Sequence, residues 1–148
     1  MAAPTPHRQR GVAAVELALL LPLLLLLFLG TGAVLRLYYV NMALLNAAHA
    51  GAQYAVTANS EDRGAIAAAA LRDGRHDLPR MAAPSVRIVR RCADGSPHGG
   101  GACPGHAPAP WTYVEVSADY PFASDTFGML PGFPAVLNLR QTAIFRLN

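Results

Sequence analysis

The longest uninterrupted pattern in the chain is apolar: across residues 12–35 the only charged side chain is Glu16. A helix of that length spans a bilayer core with some tilt to spare. The pattern then changes period without stopping. From Leu37 onward, Met42 or Ala43, Leu44, Leu45, Ala48, Ala52 and Ala55 recur at mostly three- and four-residue intervals. Asn41, Asn46, His49 and Gln53 alternate with them, which is the signature of one buried helical face. A single helix over residues 12–56 is therefore predicted, about 65–70 Å long, half in lipid and half above it. Pro22 removes one ladder hydrogen bond, and Gly30 and Gly32 thin the waist, where a neighbouring helix can come close. A second helix is predicted over residues 61–72, with Ser60 as N-cap, Glu61 and Asp62 in its first turn and Gly74 as its stop.

Beyond a turn-rich connection the period falls to two. "SVRIVRR" puts Val86, Ile88 and Arg90 on one face; "WTYVEVSADY" alternates more strongly, with either Tyr113 or the Val114 and Val116 set facing inward; "NLRQTAIFRLN" closes the chain. Three strands behind a long helix predict an α+β fold, an antiparallel sheet covering the outer half of that helix. The implied organisation is a basic leader at 1–11, a transmembrane helix at 12–35, its extramembrane continuation at 36–57 and a small α+β domain at 58–148.

Charge sets the orientation. His7, Arg8 and Arg10 precede the span without an acid, and Arg36 stands alone just after it, so the N-terminus is expected in the cytoplasm and the domain outside. Tyr38 and Tyr39 suit the outer headgroup zone. All 12 basic residues are arginines spread along the chain, and the formal charge of +3 builds no dense stripe for phosphate, which argues against a nucleic-acid partner. The competing reading of the apolar run is a secretory signal with its core at 17–29 and a cleavage site at Gly30-Thr31-Gly32. The stretch resumes through Ala33, Val34 and Leu35, however, and an acid at Glu16 is foreign to the head of a signal core.

The two cysteines, Cys92 and Cys103, flank a glycine-rich connection between the first two strands. Outside the cytoplasm a disulfide is the default, closing a loop whose theoretical stabilisation is about 3 kcal/mol. The rival is a zinc site from Cys92, His98, Cys103 and His106, whose spacing matches no compact metal finger. No cofactor is called for, and catalysis is not expected. His76 adjoins Asp77 in "GRHDLPR", but no motif supplies a nucleophile beside them, and "GSPHGGG" lacks the setting of a phosphate cradle.

Glu16 is the residue that composition alone leaves unexplained. A carboxylate in lipid needs a partner, a protonated state or an escape to the interface. "RQRGVAAVELALLLPLLLLLFLGTGAVL" followed by "YVNMALLNAAHAGAQYAV" resembles the TadE-like family of pseudopilins, small subunits of the tight-adherence (Flp-type IVb) pilus system. The resemblance covers residues 8–57: Arg8 and Arg10 match its basic leader, Gly11 its glycine, Glu16 its glutamate and Pro22 its proline, with Ala48, Gly51, Tyr54, Ala55 and Val56 the later signature. Leu17 stands where many relatives carry an aromatic residue.

This resemblance implies a minor, pilin-like subunit of the inner membrane. A prepilin peptidase would cut it after Gly11, and it would meet other pilin or pseudopilin subunits and the Tad secretion machinery. Cleavage would leave an ammonium at Val12, one helical turn from Glu16, so each can be counter-ion to the other, within one subunit or between neighbours. The alternative is a secreted or membrane-anchored periplasmic binding module.

Overall fold

The computed structural model describes residues 9–103, 109–123, 128 and 134–147. Helix α1 (Gln9–Thr57) is a single uninterrupted helix of 49 residues, about 73 Å at the usual rise. It starts three residues before the expected Val12, since nothing in Gln9-Arg10-Gly11 forces a break. Pro22 lies inside it; the carbonyl of Ala18, four residues earlier, is the one deprived of its partner. Asn59, with φ of 45°, turns the chain out of the helix, and the Ser60 amide donates to the Ala55 carbonyl across that turn.

Helix α2 (Arg63–Asp77) departs from the sequence expectation at both ends. Its N-cap is Asp62 and not Ser60: the carboxylate accepts from the amides of Gly64 and Ala65 at 2.8 and 3.3 Å. The Ser60 hydroxyl is used one step earlier, accepting from the Asp62 amide. Gly74 does not end the helix, which runs on for three residues. It is buried because α1 passes so close that a Cβ there would meet the Ala47 methyl at 2.9 Å. The same contact recurs one helical repeat away, where Gly51 faces Ala70. Small residues on both helices thus bring the two axes together, and Ile66, Ala70 and Gly74 are the buried stripe of α2.

The strands β1 (Ser85–Arg91), β2 (Trp111–Ala123) and β3 (Val136–Arg146) form an antiparallel sheet in the order β1-β2-β3. Pairings such as Ile88↔Val114 and Val114↔Phe145 set the register. They settle the open question about β2: Thr112, Val114, Val116, Ala118 and Phe122 face inward and are buried, and Tyr113 faces out. The strand extends three residues past the expected Tyr120, through Pro121. That is permitted because β1 begins opposite Ser117, so Pro121 has a neighbour on one side only and its missing N–H breaks no ladder on the other.

Against this inner face α1 lays Val40, Ala43, Leu44, Ala47, Ala48, Ala52 and Ala55, all buried. Of the alternatives at the start of that stripe, Ala43 is inside and Met42 is exposed. Two polar contacts fix the rotation of α1 on the sheet: Gln141 donates to Asn41 at 3.1 Å, and His49 stands edge-on to Phe145 with ring centroids 5.7 Å apart. Strand β2 runs antiparallel to α1. Phe122 therefore lies at the Arg36 end of the domain, and Trp111 lies at the far tip with the connection that carries the cysteines.

Candidate functional site

The features that point to function lie at three heights along α1. At the bottom, every described side chain from Val12 to Leu29 is exposed, and none of the most apolar stretch of the helix is covered by the rest of the chain. An uncovered surface of leucines is far beyond what a soluble monomer shows to water. This is the one helix among the described residues long and apolar enough to cross a membrane. Its few polar atoms are handled locally: the Thr31 hydroxyl donates to the Leu27 carbonyl at 2.8 Å, the internal satisfaction a bilayer demands. Gly11 and Val12 are both helical, and Glu16 projects from the face of Val12, one turn on. Glu16 is exposed, and no hydrogen bond or ion pair engages it among the described residues. Arg8 and the rest of the leader before Gln9 lie outside the described residues.

The domain takes hold of α1 at Val40, the first buried residue along the helix. Just below, Tyr38 and Tyr39 are exposed. The Tyr39 hydroxyl donates to Asp77 at the end of α2. That hydrogen bond, together with the carboxylate's charge, pushes the Tyr39 hydroxyl above its ordinary value. No sequence rule announces this contact, because its partners are 38 residues apart and neither sits in a motif. Above it, between α1 and α2, a groove of about 500 Å³ gathers His76 with Asp73, Asp77, Tyr54 and Thr57. The Thr57 hydroxyl is committed to the Gln53 and Tyr54 carbonyls.

At the far tip Cys92 and Cys103 are joined in a disulfide with Cα atoms 5.6 Å apart. This displaces the zinc reading, which needs two thiolates. His98 does come to the sulfurs, with Nδ1 at 4.0 and 3.9 Å from Cys92 and Cys103, whereas His106 lies outside the described residues. Residues 92–98 of the connection are held by local hydrogen bonds. Cys92 and Ser96 share a tight turn that needs Gly95 at φ of 85°. Asp94 accepts from both the hydroxyl and the amide of Ser96, and chiefly that hydroxyl holds its carboxyl below the usual range.

These features fit a membrane-anchored α+β protein with one N-terminal helix. Residues 11–53 match the family model described as TadE-like protein, in agreement with the resemblance carried by Gly11, Glu16, Pro22, Ala48 and Gly51. The match lies wholly on α1 and links the chain in general terms with the Tad pilus system. It ends before α2 and the sheet. No curated protein and no solved structure matches the chain.

Proposed function

We propose that this chain is a minor, pseudopilin-like component of tight-adherence pilus assembly. It is held in the bacterial inner membrane by residues 12–35, with its N-terminus in the cytoplasm and its domain in the periplasm. It acts by assembling with other pilin-type subunits and the Tad secretion machinery, and not by catalysis. The observation that carries the reading is the bare helix whose sole acid, Glu16, lies one turn beyond Val12. A carboxylate at the centre of a membrane helix costs about 2.5–3.5 kcal/mol on insertion scales. One near the edge costs less, but still gains from a counter-charge. A prepilin peptidase cutting after Gly11 removes Arg8 and Arg10 and supplies that charge as the Val12 ammonium. Glycine suits the cut because a backbone without a side chain is open to the protease.

Co-expression with and without the peptidase, followed by intact-mass measurement of the membrane fraction, tests this. The expected product begins at Val12 only when the peptidase is present. A mature chain beginning at Met1 or Ala33 rejects the reading, and the second outcome favours a released binding module. Glu16→Gln should leave insertion intact, since that depends on the apolar run, and should reduce cross-linking to partner subunits. Unchanged cross-linking and unchanged fibres would remove the ion pair from the account.

A further inference from the structure

Where α1 leaves its apolar run, two arginines from distant parts of the chain line one cavity. Arg36 follows the last residue of the span, and Arg80 arrives on the connection between α2 and β1; with Val40, Tyr120, Pro121 and Phe122 they enclose about 260 Å³. Both side chains line the cavity from exposed positions. The Arg36 guanidinium carbon lies 5.9 Å from the centroid of the Phe122 ring, a cation–π arrangement that orients the group. Arg80 sits in a short turn whose flanking residues, Leu78 and Met81, are buried at 3% and 2% exposure. The turn is closed by the Met81 amide on the Leu78 carbonyl. Among the described residues neither arginine has a carboxylate within ion-pair distance, although Arg90, Arg91 and Arg140 all do. Two like charges lining one cavity repel each other, and an anion placed between them relieves that repulsion.

The geometry points to a binding site for the phosphate of an anionic phospholipid headgroup. Guanidinium forks match phosphate oxygens in pairs. The height is right as well: Arg36 sits at the edge of the apolar run, level with the exposed rings of Tyr38 and Tyr39, where lipid phosphates lie. Val40 and Phe122 give the cavity an apolar wall beside the helix, which suits a headgroup entering from the bilayer more than a free ion from water. The inference rests on residues 12–35 spanning the membrane. The site would fix the domain's height and tilt over the surface, leaving the far tip free for partners.

The test uses the full chain in detergent micelles, with phosphatidylglycerol or phosphatidylcholine of identical acyl chains added at equal amounts, and native mass spectrometry to count retained lipids. A third arm replaces lipid with inorganic phosphate. Preferential retention of phosphatidylglycerol is expected. In the double variant Arg36→Gln/Arg80→Gln it should fall about tenfold, and Arg36→Lys/Arg80→Lys should keep part of it, because charge survives while the fork is lost. Equal retention of both lipids, an unaltered glutamine variant, or binding of inorganic phosphate without lipid retention would each overturn the proposal. Flotation of the same proteins with vesicles separates this from the anchor: a chain that floats without lipid preference loses only the headgroup site, and one that does not float loses the span.

Discussion

The approach of α1 to α2 at Gly51 makes a sharp demand. A methyl placed there would stand 2.7 Å from the Ala70 Cβ, 3.1 Å from the Ile66 carbonyl oxygen and 3.3 Å from Val116 Cγ1, against a comfortable carbon–carbon separation of about 3.5–4.0 Å. Gly51→Ala therefore forces the helices apart by nearly an ångström, an overpacking cost of about 1–3 kcal/mol. Replacing glycine inside a helix returns about 1 kcal/mol, so the net loss is about 1 kcal/mol, or about 4–8 °C in Tm for a domain of this size. Ala70→Gly should cost about 2 kcal/mol, from helix propensity and one lost buried methyl. In the double variant the methyl has only moved across the interface, so the two losses should fall short of their sum by about 1–2 kcal/mol. Thermal melting of the full chain in micelles, followed by Trp111 fluorescence, measures all four corners of the cycle. Additivity to within about 0.5 kcal/mol would refute the argument, because it would mean Gly51 and Ala70 do not share one space.

Other consequences are as direct. Gly30→Ala, whose added methyl meets nothing within 4 Å, should leave the melt of the domain unchanged; loss of fibre assembly in that variant would mark the Gly30 face as a contact with another helix. Asp62→Ala should lower stability by about 1 kcal/mol as an N-cap loss and Ser60→Ala by less, measured by the same melt; the reverse order would restore Ser60 as the cap. Cys92→Ser with Cys103→Ser should cost up to about 3 kcal/mol, and non-reducing peptide mapping of the parent should give one linked peptide. The lowered Asp94 carboxyl contributes order to the tip that is complete above the ordinary carboxylate value of 3.8 and is lost as pH falls through the lower value it has in the folded chain. The protection of the Ser96 amide, taken relative to its intrinsic exchange rate at each pH, should therefore fall in acid, and Asp94→Asn should abolish that dependence.

What the chain declares about itself varies with how local the physics is. The buried stripe of α1 and the strand alternation are set by spacing and the disulfide by the presence of just two cysteines, and all are legible. The match of residues 11–53 to the TadE-like family model is equally readable, because Gly11, Glu16 and Pro22 sit in one unbroken run. In the sequence Gly74 reads as a stop, because glycine after a polar turn is ordinarily one; the proximity of Ala47 and Met81, which leave no room for a Cβ, explains its presence in mid-helix. The cap moved from Ser60 to Asp62 for a related reason. Both are good N-caps by type, and the choice between them depends on how α1 ends at Asn59. The alternation of β2 allows either set to face inward, and the choice is made only where Val114 and Val116 meet Leu44 and its neighbours in the core. The cavity of Arg36 and Arg80 was beyond reach, since it unites residues whose only relation is the way the chain folds back.

The continuity of α1 has a mechanical consequence. The rod that enters the lipid is the same rod on which the sheet is mounted, with no linker between Leu35 and Val40. An axial push, pull or twist delivered to the apolar half passes to the half that carries the sheet, as torque passes along a driveshaft. A chain built this way reports the position of its apolar segment directly at its far end, some tens of ångströms away.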